Sequence, residues 1–423
     1  MMLTRSSKIY KKLQKRYSRK INLNLSRINK VLALLNNPHL NLPRPCNFIG
    51  SDGKYSTLTG VKYFLEADNK RVTTFTSPHL YDVRHRFYLN KNKYISTKMI
   101  EKLIKVVEKT RKELTLFEVL TCIYVLAAKK QKKIFASLVE AGLLFKGDSS
   151  RIWNKPRAQI ITNINFQHAE WVKPRTLTEI CKQKVGFLSK KSVIYVGKQK
   201  PNTLKIIKNI LKKNPSKIVY PSNWHIRKKG NNYLYKSRKN IIPIKSKYIF
   251  SQGLLDSLGL AIHVSLEEFK IKKSTIIKTI PKIMFEGRIQ YLKKGKLKKI
   301  LKNNEKLLLD TCHSEASAEN LYKYLKTLKE PIYGIWGMQK NKEPRKFIKK
   351  FKNIFKKVIT VTIPNEPNAQ KANILKKICL NNKLKAETST NIIQAIKNCL
   401  GSKKKTIVIF GSNYLIGYVL SKN

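Results

Sequence analysis

Residues 46–57 read CNFIGSDGKYST, an apolar run that leads into a loop containing Gly50, Gly53 and Lys54. The apolar run predicts a buried strand, and the LTGVKYFLEA that follows the loop predicts a helix. Glycines at such a strand-to-helix turn let backbone N–H groups approach phosphate oxygens closely, and a lysine adds positive charge. The stretch therefore predicts a phosphate-binding loop, although an ordinary strand-to-helix turn would have a similar sequence.

Strand-like runs alternate with helical patterns over most of the chain. In the first part they are PCNFIG (45–50), RVTTFTS (71–77), KIFASLVEAG (133–142), RAQIITNI (157–164) and KSVIYVG (191–197), with helical TLTGVKYFLEAD and TLFEVLTCIYVLAA between them. A second series follows GRIQ: KLLLD (306–310), PIYGIW (331–336), KKVITVTI (356–363) and TIVIFG (406–411), with helical EASAENLYKYLKTL. This alternation predicts an α/β fold with mainly parallel sheets and helices on both faces.

The same patterns divide the chain into two predicted domains, 1–283 and 284–423. A length of 423 residues agrees with two or three domains. The segment between about 201 and 248 is rich in lysine and asparagine and shows no clear period, so we expect an irregular insertion in the first domain there.

The charge is unusual, because 89 Lys+Arg against 24 Asp+Glu give a formal net charge of +65. Such a field attracts nucleic acid and other polyanions. The basic residues are mostly lysines spread along the whole chain, and asparagine and isoleucine are abundant as well. We therefore favour compositional bias on solvated faces over a dedicated nucleic-acid surface.

Cysteine usage and hydropathy indicate the compartment. The six cysteines form no CxxC pair, so neither a disulfide framework nor a zinc site is expected. The longest apolar stretch, LFEVLTCIYVLAA (116–128), is too short to span a bilayer. The N-terminal stretch has no apolar signal core. We expect a cytoplasmic protein that does not contact membranes.

Several motifs around the loop occur in an order that resembles one family. They are GSDGKYST against the family's GTNGKGS, the TSPHL at 76–80, LVEAGLLFKGDSS against EVGLGGRLDAT, ITNINFQH against ITNIGLDH, LTEICKQKVGFL against LEEIAREKAGII, LLLDTCHSEAS against LLLDGAHNPEA, and GSNYLIG against GSLYLVG. The chain thus resembles the bifunctional folylpolyglutamate synthase/dihydrofolate synthase family, the folate branch of the Mur-ligase superfamily. The resemblance implies the Mur-ligase architecture, with an N-terminal P-loop ATPase-like domain and a C-terminal Rossmann-like domain.

What the resemblance implies about function is an ATP-dependent amide ligase. ATP would phosphorylate a carboxylate of dihydropteroate or of a reduced folate, and the amine of L-glutamate would attack the acyl phosphate. The cofactors implied are ATP and Mg²⁺, in a monomer without a specific nucleic-acid partner. A cell-wall Mur ligase is a second interpretation, but TSPHL is typical of the folate branch.

The resemblance also assigns roles to particular residues. Those expected to bind ATP and its phosphates are Gly50, Gly53, Lys54, Ser56, Thr57, Ser257, Arg288 and Asp310. Those expected to bind metal are Ser77, Glu140, His168 and Lys184, and the catalytic pair is Lys184 and His313. Lys184 falls on the lysine that is carbamylated in the family, a change that converts a cation into an anionic metal ligand. Considered singly, Glu140 could instead face solvent at a sheet edge, and His168 could be an ordinary loop histidine.

The chain departs from the family motifs at several positions. They are Asp52 for asparagine, Tyr55 for a small residue, Leu144 and Phe145 for two glycines, Lys146 for arginine, Ser257 for the adenine-binding asparagine, His85 for glutamate, Cys312 and Ser314 in DGAHN, and Asn341 for aspartate. These changes leave two interpretations open. The chain is either a fast-evolving ligase or an impaired relative whose basic surface binds nucleic acid.

The origin of the charge can be tested with random-sequence DNA. If +65 reflects bias on solvated faces, fluorescence anisotropy should show weak binding that disappears as salt is raised and does not depend on sequence. Tight, sequence-selective binding at physiological salt would instead support the nucleic-acid interpretation.

Overall fold

The computed structural model describes residues 5–17, 22–91, 93–230, 232–249 and 251–423. The chain forms two compact units. The first comprises Met1–Ser246 and Leu254–Ile283, and the second comprises Lys247–Gly253 and Met284–Asn423. These units differ from the sequence-based division at 283/284 only in the short segment Lys247–Gly253, which groups with the second unit.

The first unit is built on an eight-stranded sheet. Its strands are β1 (Cys46–Ile49), β2 (Val72–Phe75), β3 (Phe87–Asn90), β4 (Lys93–Tyr94), β5 (Ala136–Glu140), β6 (Ala158–Ile161), β7 (Val193–Val196) and β8 (Ile218–Val219). Their order is β4-β3-β2-β5-β1-β6-β7-β8, and every pair from β2 to β8 is parallel, while β3 is antiparallel to both its neighbours. The mainly parallel sheet predicted from the sequence is confirmed.

Helices cover this sheet on both faces, as alternation of strands and helices predicts. They are α1 (Arg5–Arg16), α2 (Ser26–Leu34), α3 (Lys54–Ala67), α4 (Thr97–Glu108), α5 (Leu116–Lys129), α6 (Leu177–Val185), α7 (Pro201–Leu211), α8 (Gln252–Glu267) and α9 (Lys273–Thr279). One apolar cluster unites residues of α2, α4 and α5, and another unites residues of α6 and α7. Every residue of β1, β2, β5 and β6 is buried, including polar ones such as Asn47, Thr73 and Gln159, so these strands show no alternation of buried and exposed positions.

The parallel register places the functional loops together. Phe48 of β1 lies opposite Glu140 of β5, and Ile49 lies opposite Ile161 of β6. Because parallel strands have their carboxyl ends at one edge, the loops that follow β2, β5, β1 and β6 emerge side by side. All the site residues predicted for the first domain except Lys184 and Ser257 lie at this edge, at the ends of these strands or on the segments that follow them.

The segment predicted to be an irregular insertion is in fact regular, so that expectation was wrong. It contains α7, β8 and a separate antiparallel sheet of β9 (Trp224–Lys229), β10 (Asn232–Ser237) and β11 (Ile241–Ile244). Burial alternates along β11, whereas β9 ends in the exposed Arg227, Lys228 and Lys229 and β10 shows no simple alternation, so these strands give no clear period in the sequence. Gly230, at a φ of 57°, makes the turn between β9 and β10.

Helix α8 holds this small sheet on one side and α3 on the other. A Cβ on Gly259 would lie 2.3 Å from the Trp224 ring, so only glycine allows β9 to approach so closely. A Cβ on Gly60 of α3 would lie 2.7 Å from the Cβ of Ala261. The buried His263 Nδ1 and the Tyr235 hydroxyl form a hydrogen bond of 2.8 Å, which also joins the sheet to α8.

The second unit contains a six-stranded sheet between two apolar clusters. Its strands are β12 (Gln290–Tyr291), β13 (Glu305–Asp310), β14 (Ile332–Trp336), β15 (Phe355–Thr360), β16 (Ala386–Thr388) and β17 (Lys405–Phe410), in the order β12-β13-β17-β14-β15-β16. Its helices are α10 (Lys296–Ile300), α11 (Glu315–Leu325), α12 (Pro344–Lys349), α13 (Ala372–Asn381), α14 (Ile392–Lys397) and α15 (Asn413–Lys422). Only β12 is antiparallel, which agrees with the Rossmann-like domain expected from the family resemblance.

Burial of His263 makes stability depend on pH. Desolvation lowers the pKa of His263 from 6.5 to about 4, so the unfolded chain takes up a proton at a pH where the folded chain does not. Stability is complete above pH 6.5 and falls as the pH falls towards 4. We expect the free energy of unfolding, measured with urea, to fall between pH 7 and pH 4.5 by about 2–3 kcal/mol more in the native chain than in His263→Gln. Equal losses in the two proteins would contradict the assignment.

Candidate functional site

The loop after β1 has the geometry of a phosphate-binding turn. Gly50 has a φ of 154°, and a Cβ there would lie 2.1 Å from the Thr162 hydroxyl oxygen on the neighbouring strand end. Gly53 precedes α3 at a φ of 86°, which a side chain rarely adopts. Helix α3 begins at Lys54, so its unpaired N-terminal N–H groups belong to this loop.

Two lysines converge on one carbonyl oxygen of this loop. The Lys54 ammonium donates to the Gly50 oxygen at 3.2 Å and to the Ser51 oxygen at 3.3 Å. The Lys184 Nζ, reaching from α6, donates to the same Gly50 oxygen at 3.0 Å and to the Leu143 oxygen at 2.6 Å. The lysine that was predicted to be carbamylated is therefore in direct contact with the phosphate-binding loop.

Lys184 is held in a form that can react at neutral pH. Its side chain is 1% exposed, and burial, followed by the charge of Lys54, lowers its pKa from 10.5 to about 7. A lysine with such a pKa is a neutral amine in a large fraction of molecules at pH 7, and the neutral amine is the nucleophilic form. This property meets the chemical requirement for carbamylation by carbon dioxide.

Asp52 directs its negative charge towards a neighbouring loop. Its Oδ2 accepts hydrogen bonds from the side-chain amides of Asn165 at 2.6 Å and Gln167 at 3.0 Å. The family motif GTNGKGS has an asparagine at the position of Asp52, and ITNIGLDH has an aspartate at the position of Gln167. Asp52 and Gln167 therefore carry the same two chemical groups with their positions exchanged, which keeps the two loops joined.

Glu140 is buried at the carboxyl end of β5 with 3% exposure, so the alternative of a solvent-facing carboxylate at a sheet edge is excluded. Its Oε2 accepts from the backbone N–H of Ser77 at 2.9 Å, which joins the TSPHL segment to β5. The Ser77 hydroxyl accepts from the Arg86 guanidinium at 2.9 Å. Ser77 thus lies between a buried carboxylate and a guanidinium, and its assignment as a metal ligand stays a prediction.

His168 ends the loop after β6 with an unusual backbone. Its φ is 65°, a left-handed conformation that costs energy for any residue with a side chain. The loop is tied to Asp52 through Gln167, directly before His168. A strained, half-buried histidine at the carboxyl edge of a parallel sheet is a candidate for a functional role.

The segment after Glu140 is organised by a carboxylate that the sequence-based assignment missed. Asp148 is buried and accepts from the backbone N–H groups of Gly142 and Leu143, both at 3.1 Å, and from Ser150. These bonds place the Leu143 carbonyl where Lys184 reaches it. Leu144 and Phe145, which replace two glycines of the family, are buried in the apolar cluster of α6 and α7.

The remaining residues predicted for this loop lie on α3 and α8. Ser56 and Thr57 are buried in the first turn of α3. Ser257 is buried on α8, and its hydroxyl oxygen would lie 3.0 Å from a Cβ on Gly53. Ser257 is therefore adjacent to the phosphate-binding loop. Tyr55 is half-buried in the same turn as Ser56, and the direction of its ring relative to a nucleotide stays a prediction.

The second unit presents its own group of predicted residues at the carboxyl end of β13. Asp310 is buried, and its carboxylate accepts from the backbone N–H groups of Ile289 at 2.9 Å and Cys312 at 2.8 Å. Burial raises the pKa of Asp310, and the charge of Arg288 opposes this rise. Asp310 thus fixes the segment that carries Arg288.

His313 is oriented by the same segment. Its Nδ1 lies 2.9 Å from the Thr311 carbonyl oxygen, which can only accept, so Nδ1 carries the proton. Its backbone N–H donates to the Ser317 hydroxyl at 3.1 Å, in the first turn of α11. In the neutral ring Nε2 is then the basic nitrogen, in a side chain that is half-buried.

The donors in the first unit suit an ion that completes its shell with phosphate oxygens. Among the described residues no group of three or more His, Cys, Asp and Glu side chains could hold a metal ion. Magnesium is commonly bound by one or two carboxylates together with substrate phosphates and water. Glu140 and Lys184 are buried at this edge of the sheet and His168 is half-buried, and their assignment as metal ligands stays a prediction. None of the helices that the structure describes combines the length and hydropathy needed to cross a bilayer.

The structure directly joins the phosphate loop to Lys184, to Ser257 and, through Asp52, to the loop that carries His168. It separately joins Ser77 to Glu140. The residues Arg86, Asp148 and Thr162 were missed. A signal was present for Asp148, which falls on the aspartate of GLGGRLDAT, the family motif that LVEAGLLFKGDSS resembles.

The chain is similar to known proteins along most of its length. The family model "Dihydrofolate synthetase, C-terminal domain" matches residues 293–422. The chain is 26% identical over 388 residues to the dihydrofolate synthase/folylpolyglutamate synthase of Buchnera aphidicola subsp. Schizaphis graminum, covering 88% of this chain and 86% of that protein.

Solved structures show the same fold. E. coli FolC in complex with DHPP and ADP superposes with a TM-score of 0.84 at 19% identity, covering 98% of this chain and 96% of that one. The bifunctional folylpolyglutamate synthase/dihydrofolate synthase of Yersinia pestis, complexed with AMPPNP and Mn ion, gives 0.84 at 18% identity, covering 100% and 99%.

The effect of Tyr55 on nucleotide binding can be measured directly. The glycines and Lys54 keep the geometry of a phosphate loop, so we expect the ring to point away from the phosphates. Titration calorimetry with a non-hydrolysable ATP analogue should then show that Tyr55→Gly changes affinity by less than tenfold, or about 1.4 kcal/mol. Tyr55→Phe serves as the control, because it keeps the ring. A gain of several hundredfold for Tyr55→Gly would show that the ring obstructs the loop.

Proposed function

We propose that this chain, a divergent relative of the dihydrofolate synthase/folylpolyglutamate synthase family, is an ATP-dependent acid–amino-acid ligase. It adds L-glutamate to dihydropteroate, to reduced folates, or to both, through an acyl-phosphate intermediate. The observation that carries the proposal is the convergence of Lys54 and Lys184 on the Gly50 carbonyl oxygen. In that arrangement Lys54, the proposed phosphate-binding lysine, and Lys184, whose pKa is lowered, share one acceptor. The neighbouring strand β5 ends in the buried carboxylate of Glu140.

The residues of the first unit suit the phosphoryl-transfer half of the reaction. Backbone N–H groups of the loop after β1 and the N-terminus of α3 bind phosphate oxygens, and Lys54 neutralises charge on the transferring group. Mg²⁺ would supply further positive charge between the phosphate oxygens. Glu140, His168 and Lys184 are the side chains that we propose to hold it.

Lys184 can exist as an amine or, after reaction with carbon dioxide, as a carbamate. As an amine it donates to the Gly50 and Leu143 carbonyl oxygens. As a carbamate it would carry a negative charge beside Lys54, which removes the repulsion between two ammonium groups. We propose the carbamate as the working state, because it converts an unfavourable pair of charges into a favourable one.

His313 is the proposed catalytic residue of the second unit. Its Nδ1 proton is committed to the Thr311 carbonyl, so Nε2 is the nitrogen that can accept a proton from the attacking amine of glutamate. Arg288 and Asp310 are the proposed nucleotide-binding residues of that unit. Asp310 acts there by holding the backbone of Ile289 and Cys312.

The alternative of an impaired relative is not favoured. Asp52 and Gln167 have exchanged the carboxylate and amide of the family motifs and still form a hydrogen bond, which is not expected of a site that is losing its function. Leu144 and Phe145, the replacements that looked most disruptive, are buried in an apolar cluster and so do not fill the site. We further propose that the protein is a cytoplasmic monomer that uses both dihydropteroate and folates, as the names of its bifunctional relatives suggest.

The proposal is tested by phosphate release from ATP with dihydropteroate or tetrahydrofolate, with and without L-glutamate. Glutamate-dependent release with either acceptor is the expected result. Glu140→Gln should reduce it by at least about a hundredfold, because it removes the buried charge opposite the phosphates. His168→Ala should do the same.

Glu170→Gln is the matched control, since it makes the same change at an exposed carboxylate two residues from His168. It should leave turnover within about twofold, as expected for a surface substitution. Thermal unfolding should show that all three variants are folded. Near-native ligation by Glu140→Gln at saturating Mg²⁺ would refute the assignment.

A further inference from the structure

We propose that Arg86, with the Ser77 hydroxyl, forms a binding site for a substrate carboxylate. Arg86 ends the short turn Val83–Arg86 that leads into β3, and it is 5% exposed. The inference rests on the proposed function, because it names a residue that holds one of the carboxylates that a glutamate ligase must bind.

The guanidinium of Arg86 has donors to spare. Nε donates to His79 Nδ1 at 2.9 Å, one terminal nitrogen donates to the Ser77 hydroxyl at 2.9 Å, and the other lies 3.5 Å from the Tyr10 hydroxyl. A guanidinium has five N–H groups. One N–H on each terminal nitrogen therefore has no acceptor among the residues that the structure describes.

The charge of Arg86 is also without a protein counter-ion. Across the described ranges no carboxylate forms an ion pair with it, although it is almost completely buried. Arg84, two residues away, shows the ordinary arrangement, because it is more exposed and forms a 2.6 Å ion pair with Asp82. Buried charges in proteins are normally paired, so an anion from outside the chain is the missing partner.

Ser77 completes the site. Its hydroxyl oxygen accepts from Arg86, which leaves its O–H available as a donor. The hydroxyl and the remaining guanidinium N–H groups are together a donor set for a carboxylate.

The backbone holds this site rigidly at the carboxyl edge of the first sheet. The Thr76 N–H donates to the Arg86 carbonyl at 3.0 Å, and the Ser77 N–H donates to Glu140 at 2.9 Å. Strand β2 lies two places from β1 in the sheet, which corresponds to about 10 Å. Because Thr76 follows β2 and bonds the Arg86 carbonyl, Arg86 lies at the same carboxyl edge of the sheet as the loop after β1.

Either organic substrate could supply the carboxylate, so the experiment measures both. Binding of dihydropteroate and of L-glutamate is compared in the native chain, Arg86→Gln, Arg86→Lys and the control Arg84→Gln, by calorimetry in the presence of an ATP analogue. Arg86→Gln should weaken one of the two substrates by at least tenfold and change ATP-analogue affinity by less than threefold. Arg86→Lys should recover part of the lost substrate affinity because it keeps the positive charge. Arg84→Gln should change none of the measured affinities by more than twofold.

Amide analogues separate a binding role from a structural one. Pteroyl carboxamide and L-glutamine replace a carboxylate by a neutral amide. If Arg86 binds the carboxylate of dihydropteroate, pteroyl carboxamide should bind the native chain and Arg86→Gln with equal affinity. If Arg86 binds the side-chain carboxylate of glutamate, L-glutamine should bind the two proteins with equal affinity. Equal weakening of acid and amide, or a parallel loss of ATP-analogue affinity, would overturn the proposal in favour of a purely structural role.

Failure of this site and failure of the proposed function are distinguishable. If the native chain binds the acid more tightly than its amide but releases no phosphate with any acceptor, the ligase function fails and the carboxylate site stands. If the native chain turns over normally and Arg86→Gln binds every substrate as the native chain does, the site fails and the function stands. Should Arg86→Gln not fold, Ser77→Ala provides the same comparison and should weaken the acid selectively.

Discussion

The carbonyl oxygen of Gly50 accepts hydrogen bonds from two lysine side chains, and the rest of the first unit is arranged around that contact. Two ammonium groups on one acceptor repel each other, and the burial of Lys184 adds a further penalty. The chain relieves both by lowering the basicity of Lys184 to a pKa of about 7. The close approach of Gly50 to Thr162 and the segment held by Asp148 then fix the acceptors that Lys184 needs.

Much of the fold could be predicted because its signals are local. The strands β1, β2, β5 and β6 are rich in apolar and β-branched residues, and each leads into one of the motifs that resemble the family. The sheet of β9, β10 and β11 was missed because burial does not alternate regularly along β9 and β10, and several of their exposed residues are lysines. Only its contact with α8, through Trp224 and Gly259, makes those strands part of a core.

The site divides in the same way. Lys54, Glu140 and His168 could be proposed from the sequence because each lies inside a motif. The bond between Asp52 and Gln167 could not, since it joins residues far apart in the chain and appears in the sequence only as two separate departures from a pattern. Arg86 was missed for another reason, because a buried guanidinium without a counter-ion can be identified only when every neighbouring acceptor is known.

Helix α8 acts as a spacer whose thickness is set by small side chains on two faces. Gly259 receives Trp224 of the small sheet, Ala261 meets Gly60 of α3, and Ser257 lies beside Gly53. A methyl group added on one face would therefore displace the phosphate loop across the helix, without touching it. A genetic screen for suppressors of Gly259→Ala should accordingly select smaller side chains at position 224, on the far side of the helix from the loop whose function they restore.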